Sequence, residues 1–213
     1  MDKRFIVILI VLVLGLGGLF IFTRNKAVAP SGNTASVSNH TKGNTSSKVS
    51  LLVYGDFQCP ACGALFPVEK QVVDKYIDKI SFTFRHFPLD GSHQNARAAS
   101  RAAEAAGKQG KFFEMHDLLY QNQNSWSSLS DSYPYFEQMA KSLGLNMDQF
   151  KTDYDSEAVN STINADYKEG GAKGVTGTPT YYLNGKELTL SDINTLDGFS
   201  SKIDAALKQA GSQ

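Results

Sequence analysis

The apolar and polar positions of this 213-residue chain change their spacing several times along its length. Residues 5–22 form an unbroken apolar run, glycine included, and residues 24–47 are mostly Ser, Thr, Asn, Gly and Ala. From Lys48 onward, short apolar runs typical of strands are separated by longer stretches in which apolar residues recur every three or four positions, as in helices. This order predicts an α/β fold behind a polar N-terminal segment.

Two short runs in the first half of the folded part are typical of strands. Residues 49–54 are mainly apolar, and residues 80–87 alternate, with Phe82, Phe84 and His86 on one face. Between these runs, apolar residues after Cys59 follow helical spacing. We therefore predict a strand, a tight turn, a helix that begins at the turn, and a second strand.

Residues 94–171 show helical spacing only. Ala96, Ala99, Ala103 and Ala106 recur at intervals of three or four, and similar stripes follow them along the chain. This stretch contains no run that is typical of a strand. We predict an inserted all-helical domain there.

Strand signals return near residue 180. Residues 180–183 lead into Asn184-Gly185, a dipeptide that favours a tight hairpin turn, and residues 186–190 return antiparallel. A last helical stripe ends before Gly211. The predicted strands and the helices next to them therefore lie in residues 48–93 and 172–213, which we predict form one α/β domain around the helical insertion.

The apolar run near the N-terminus predicts a membrane helix. Eighteen helical residues extend roughly 27 Å, enough for the hydrocarbon core of a bilayer. A cleaved secretory signal is the alternative, because Ala27-Val28-Ala29 resembles a cleavage site. The run is longer than the usual signal core of about 7–15 residues, so we favour an uncleaved anchor within residues 1–23. Either interpretation places the rest of the chain outside the cytoplasm.

Composition adds two constraints. The polar residues 24–47 predict a disordered linker. The chain has 21 basic and 21 acidic residues, so a net charge of zero gives no indication of nucleic-acid binding, and 41% hydrophobic residues are enough for a packed core. We expect a monomer without a bound cofactor or metal ion.

The only two cysteines, Cys59 and Cys62, lie three positions apart at the predicted start of a helix. Pro60 fits the first helical turn, where its missing N–H costs nothing. The unpaired amides and the dipole of a helix N-terminus favour a thiolate at Cys59, and a thiolate is the form that attacks disulfides. The motif therefore predicts a redox-active dithiol with an exposed first sulfur.

Several motifs, in this order, resemble those of DsbA-like thiol–disulfide oxidoreductases of the thioredoxin superfamily, nearest to the membrane-anchored Gram-positive type. They are Gly55-Asp56-Phe57-Gln58-Cys59-Pro60-Ala61-Cys62, Arg85-His86-Phe87-Pro88-Leu89, the alanine-rich helix with Lys111-Phe112-Phe113, and Gly177-Thr178-Pro179-Thr180. The resemblance implies a thioredoxin fold interrupted by a helical domain and a cis peptide bond before Pro179. Ala61 departs from the residue that is commonest in the best-known DsbA proteins. In this family, the two residues between the cysteines, here Pro60 and Ala61, tune the redox potential.

The residue roles follow from the motif and the resemblance together. Cys59 is the expected nucleophile, and Cys62 closes or resolves the pair. A static disulfide is one alternative; a zinc site is another, but it would need two further ligands from the four histidines, and no paired spacing supports it. Thr178 and Pro179 are expected to present backbone to a client strand.

Asp56 and His86 each have two interpretations. Asp56 lies three residues before Cys59 and either moves protons to and from Cys62 or is a solvated or helix-capping acid. His86 lies either near the site or in a strand with its hydrogen bonds satisfied, and we favour the second.

These features predict an enzyme that introduces disulfides into unfolded exported proteins. Because the chain has no further cysteine, a separate acceptor must reoxidise the pair, and the resemblance implies a DsbB- or VKOR-like membrane quinone reductase. We expect the catalytic domain on the outer side of the cell membrane. The alternatives are a reductase or isomerase of the same fold, and a tethered peptide-binding or chaperone module.

Overall fold

A computed structural model describes residues 36–212 of the chain. Within them, five strands form one mixed sheet. The strands are β1 (Thr41–Gly43), β2 (Ser50–Gly55), β3 (Ser81–His86), β4 (Thr180–Leu183) and β5 (Lys186–Leu188).

Helices make up most of the remaining described chain. In chain order they are α1 (Pro60–Tyr76), α2 (Ala96–Gly107), α3 (Phe112–Gln121), α4 (Gln123–Trp126), α5 (Tyr133–Ser142), α6 (Met147–Tyr154), α7 (Glu157–Ala172), α8 (Leu190–Ile193) and α9 (Leu196–Gly211).

The strand order across the sheet is β1-β3-β2-β4-β5. The central strands β2 and β3 run parallel, with Gly55 opposite His86 at their carboxyl ends, and the other three pairings are antiparallel. A parallel pair needs a crossover, which α1 supplies. This crossover brings the end of β2, the start of α1 and the end of β3 to one edge of the sheet.

The predicted hairpin is confirmed at the opposite side of the sheet. Asn184 and Gly185 both have positive φ, 50° and 78°, as a type I′ turn requires. The returning strand is shorter than expected, because it ends at Leu188 and Thr189 begins the capping box of α8.

The sheet is buried on both faces. One face carries Leu51, Val53, Phe82 and Phe84 into the main core, together with residues of α1 and of the helices between β3 and β4. The other face forms a smaller cluster around Tyr54, where Gly170 of α7 lies so close that a Cβ would contact the Tyr54 ring at 3.0 Å. The central strands are therefore fixed on both sides.

The long segment between β3 and β4 contains six helices, α2 to α7, and no strand, and every residue of it is described. The mixed sheet with its flanking helices is a thioredoxin fold, as predicted.

The predicted disordered linker is wrong for residues 36–47. Lys42 of β1 pairs with Phe82 of β3, and Ser38 is buried, with its amide and hydroxyl donating to Asp166 at 2.8 and 2.7 Å. The polar composition suggested solvation, but these polar side chains have polar partners within the fold. The folded part therefore includes residues 36–47.

The remaining N-terminal predictions lie outside the described residues. These are the anchor or signal within residues 1–23 and the linker over 24–35. Within residues 36–212, the structure contains no helix with the length and apolar character needed to cross a bilayer.

Candidate active site

Cys59 occupies the N-cap position of α1, at the edge where β2 and β3 end. Its backbone is extended, with φ −63° and ψ 122°, and Pro60 follows in the first turn. Within the described chain, α1 has neither a capping side chain nor an acidic residue in its first turn. The backbone amides at the start of the helix can therefore donate hydrogen bonds to the Cys59 sulfur, as the motif predicted.

Hydrogen bonds lower the pKa of the Cys59 thiol from 9.0 to about 5. The largest cause is the hydrogen bond from the Cys62 thiol; burial opposes it, and the Thr178 side chain and the amides of Cys62 and Ala61 act in the same direction as Cys62. At pH 7 the first sulfur is therefore mostly in the thiolate form.

Cys62 has the opposite character. Burial raises its thiol pKa well above 9.0, and the hydrogen bond and the charge of the neighbouring Cys59 sulfur raise it further. Cys62 thus keeps its proton and donates a hydrogen bond to the Cys59 thiolate. Both cysteines are in the reduced form.

We expected the nucleophile Cys59 to be exposed, and this expectation is wrong, because the residue as a whole is buried. Cys59 is 6% exposed and Cys62 is 5% exposed, so exposure hardly distinguishes them. Cys59 is covered because the backbone at Thr178 lies against its sulfur, whose thiol form donates to the Thr178 carbonyl oxygen at 3.3 Å. Pro60 and Ala61, which follow Cys59, are exposed.

The peptide bond between Thr178 and Pro179 is cis, as the resemblance implied. It immediately precedes β4, which pairs with β2. Thr178 and Pro179 are partly exposed. The sequence-predicted residues Cys59, Cys62, Thr178 and Pro179 are therefore brought together at one edge of the sheet.

A protein-family model described as Thioredoxin matches residues 35–205 of this chain, which include all of these residues. The chain belongs to the thioredoxin family.

Several solved structures superpose on this chain over most of its length. BdbD from Bacillus subtilis, in its oxidised form, superposes with a TM-score of 0.66 at 24% identity, covering 79% of this chain and 92% of that one. Wolbachia pipientis alpha-DsbA1 gives a TM-score of 0.67 at 21% identity, covering 80% and 91%. Corynebacterium diphtheriae MdbA, a thiol-disulfide oxidoreductase, gives 0.61 at 23% identity, covering 79% and 87%. The fold is that of DsbA-like oxidoreductases.

Curated relatives carry the same domain in longer chains. A Na(+)/H(+) antiporter NhaA 1 from Salinispora arenicola is 35% identical over 148 residues, which is 70% of this chain but 22% of the relative. A second, from Mycobacterium sp. (strain KMS), is 34% identical over 152 residues, 70% of this chain and 24% of the relative. This chain matches about a quarter or less of the length of these relatives.

Asp56 is fully buried, so it is not the solvated loop acid that was one of its two interpretations. Its carboxylate accepts from the Gln58 amide at 2.7 Å and the Leu89 amide at 2.9 Å, and it pairs with His93 Nδ1 at 2.7 Å. These contacts tie the turn before Cys59 to the loop after β3. The proton-transfer role of Asp56 stays a prediction.

The sequence analysis missed Gln123, which α4 places against the active-site turn. The Gln123 side-chain amide is buried and donates to the backbone carbonyl of Phe57 at 2.7 Å and to that of Cys59 at 2.9 Å. Gln123 packs closely against α1, because a Cβ on Gly63 would collide with the side-chain carbonyl oxygen of Gln123. Gln123 is therefore a positioning residue for the nucleophile, and no local sequence signal marks it.

Gln58 and Asn95 make a second link between the turn and the helical segment. The Gln58 side chain accepts from the Asn95 amide at 2.6 Å and donates to the Ser127 carbonyl at 2.7 Å. Asn95 also donates to the Ser127 carbonyl at 3.1 Å. The helices between β3 and β4 thus hold the residues on the N-terminal side of the nucleophile.

His86 is a buried strand histidine, as we favoured, but within the described chain only its Nε2 has a hydrogen-bond partner, so the expectation that its hydrogen bonds are satisfied is wrong for Nδ1. Its Nε2 pairs with Glu104 Oε1 at 2.8 Å. It lies opposite Gly55 in the sheet and does not contact the sulfurs directly.

Proposed function

We propose that this protein is a thiol–disulfide oxidoreductase that introduces disulfides into exported proteins. The observation that carries the proposal is the lowered pKa of the Cys59 thiol, about 5, beside a Cys62 thiol whose pKa is raised. Two adjacent sulfurs with such different acidities suit two different tasks. The Cys59 sulfur leaves readily as a thiolate, and the Cys62 sulfur stays protonated until it closes the disulfide again.

The first step acts on the oxidised enzyme, which carries a Cys59–Cys62 disulfide. A client thiolate attacks the Cys59 sulfur, a client–Cys59 bond forms, and the Cys59–Cys62 bond breaks. Cys62 leaves as a thiolate and takes up a proton, since burial raises the pKa of its thiol. The product is a mixed disulfide between the client and Cys59.

In the second step, another thiolate of the client attacks the client sulfur of the mixed disulfide. The client–Cys59 bond breaks, and Cys59 leaves as a thiolate stabilised by the Cys62 thiol and the helix amides. The client has lost two electrons and gained a disulfide, while the enzyme has gained two electrons as its dithiol. A lower pKa of Cys59 stabilises this reduced form and makes the enzyme a stronger oxidant.

Client binding uses main chain next to the nucleophile. Thr178 and Pro179 are partly exposed, and the Thr178 carbonyl lies 3.3 Å from the Cys59 sulfur. An extended client segment pairs there by backbone hydrogen bonds, which suits a wide range of unfolded sequences because such bonds do not depend on side chains.

The remaining parts of the proposal concern location and recycling. The apolar run at residues 5–22 anchors the chain, as in membrane-anchored Gram-positive proteins of this type, and the catalytic domain lies outside the cytoplasm. A membrane quinone reductase of the DsbB or VKOR class takes two electrons from the Cys59–Cys62 dithiol and restores the disulfide. Anchoring both proteins in one membrane raises their local concentration.

The redox potential tests the direction of the reaction. Equilibration of the full chain with glutathione buffers, read by thiol labelling, should give a potential well above that of thioredoxin, about −270 mV. A potential at or below that value would make the protein a reductase, which was the alternative considered from the sequence.

A refolding assay separates the enzyme from a chaperone of the same fold. The oxidised protein should form disulfides in a reduced unfolded client, and Cys59→Ser should abolish this while its circular dichroism spectrum shows that the fold is retained. If the variant still promoted disulfide formation at the wild-type rate, the peptide-binding interpretation would replace the proposal.

A further inference from the structure

Three ligand-type side chains from distant parts of the sequence converge away from the two cysteines. His40 Nε2 lies 2.6 Å from Glu104 Oε1, and His86 Nε2 lies 2.8 Å from the same oxygen. The three ligand atoms all lie within 4.8 Å of one another. We propose that His40, His86 and Glu104 form a binding site for a divalent transition-metal ion, with Zn²⁺ the best match.

The donor set fits this class of metal. Two imidazole nitrogens and one carboxylate oxygen are ligands that suit Zn²⁺ and its neighbours, whereas Ca²⁺ and Mg²⁺ prefer oxygen ligands only. Three protein ligands leave a fourth position for water in a tetrahedral site. The atoms now lie at hydrogen-bond distances, so an ion would move the two imidazoles apart from the carboxylate by about half an ångström.

The surroundings of the Glu104 carboxyl group also suit a cation. Glu104 is only 5% exposed. Among residues 36–212 it pairs with no lysine or arginine, so its only polar side-chain partners are two imidazoles.

The two imidazoles are held in place by packing. The His40 ring stacks on Phe112 with centroids 3.4 Å apart and planes within 6°, and the His86 ring packs edge-on against Phe84 and Phe112. Within the described chain, His86 Nδ1 has no hydrogen-bond partner, whereas Nε2 contacts Glu104. An ion would take the place of this Nε2 contact, and the ring can then carry its proton on Nδ1, where no other contact opposes it.

An entry path leads to the site. A cavity of about 410 Å³ is lined by Ser36 to His40, by Glu104 and by neighbouring residues of α2 and α7. His40 is itself partly exposed at this cavity, while His86 lies behind it in β3. An ion entering here would join three elements: the segment before β1, strand β3 and helix α2. The expected consequence is a firmer attachment of residues 36–43 to the folded part.

The test uses the full chain in its oxidised form, because the Cys59–Cys62 disulfide removes the thiolates as competing ligands. Titration with Zn²⁺, followed by calorimetry, should show one site, and the melting temperature should rise. Co²⁺ as a spectroscopic probe should give the visible absorption of a four-coordinate nitrogen and oxygen site.

Variants assign the site. His40→Ala should weaken Zn²⁺ binding by more than about tenfold. Thr41→Ala is the matched control, because Thr41 is exposed in the same segment, its hydroxyl pairs with Thr83, and it does not line the cavity; it should bind Zn²⁺ like wild type. Equal affinity in His40→Ala would overturn the proposal.

Nuclear magnetic resonance of the wild-type protein decides without any variant. On addition of Zn²⁺, the Nε2 signals of His40 and His86 should move to positions typical of metal-bound nitrogen. Unchanged signals in the presence of excess Zn²⁺ would contradict the site, whatever the variants do.

Discussion

The surroundings of Cys59 and those of Cys62 provide the most instructive comparison in the molecule. The two residues are almost equally covered, 6% and 5% exposed, yet the thiol pKa is lowered to about 5 at the first and raised at the second. Two causes produce the difference: Cys59 receives hydrogen bonds from Cys62 and from the start of α1, whereas burial dominates at Cys62. Hydrogen-bond donors set the acidity of the first sulfur, and burial sets that of the second.

Removing either sulfur tests the division of roles with the largest expected effect. Cys59→Ser should leave no measurable client oxidation, because the sulfur that forms the mixed disulfide is absent and Cys62 has no partner with which to form the enzyme's disulfide. Cys62→Ser should still form a mixed disulfide through Cys59, but this species should persist. Mass spectrometry of the trapped adducts distinguishes the two variants. If Cys62 in the Cys59→Ser variant formed adducts as fast as Cys59 does in the Cys62→Ser variant, the two sulfurs would have the same reactivity and the division of roles would be wrong.

The stability of the reduced protein should depend strongly on pH. Because folding lowers the Cys59 pKa from 9.0 to about 5, the unfolded chain binds more protons between these values. The free energy of unfolding should therefore rise with pH by about 1.4 kcal/mol per pH unit in this window, and the contribution should be lost as the pH falls through 5. Cys62 adds nothing here, since its pKa is raised above the window.

Urea unfolding of the reduced protein at several pH values measures this slope. Reduced Cys59→Ala is the control, because it keeps every other titrating group and should lack the extra slope. Parallel curves for the two proteins would show that the Cys59 thiolate does not stabilise the fold.

Removing the Cys62 donor should have an intermediate effect. Cys62→Ala deletes the largest cause of the lowered Cys59 pKa, so that pKa should rise by about 1 to 2, since a hydrogen bond to a charged group contributes roughly 1.5–3 kcal/mol. Cys62→Ser retains a hydroxyl donor and should give a smaller rise. Alkylation rates across pH provide the values, and an unchanged pKa in Cys62→Ala would shift the explanation to the helix amides.

The smallest expected effect concerns the support from α4. Gln123→Leu leaves the carbonyls of Phe57 and Cys59 without their donor, and the free energy of unfolding should fall by roughly 1–3 kcal/mol. Gln121→Leu is the control, because Gln121 is exposed at the end of the preceding helix. Equal stability of the two variants would mean that the turn does not depend on Gln123.

Local features of the site were predictable from the sequence. The start of α1 at Cys59-Pro60 and the hairpin turn at Asn184-Gly185 depend on residues within a few positions, and both predictions are confirmed. The alternation in β3 placed Phe82 and Phe84 in the core for the same reason. Periodicity and turn residues act over short distances, so a single sequence displays them.

Contacts between distant segments were not predictable. Gln123 bonds to a carbonyl 64 positions earlier, and Ser38 bonds to an aspartate 128 positions later. The cover that Thr178 places over Cys59 is of the same kind, and it made the expected exposure wrong. A polar residue in the sequence does not show whether its partner is water or another part of the fold.

The pKa of Cys59 in the reduced full chain tests the central claim most directly. The rate of alkylation by iodoacetamide should follow a single titration with its midpoint near pH 5 and should reach its plateau below pH 7. A midpoint near the ordinary value of 9.0, or a sulfur that does not react in the folded protein, would contradict the account.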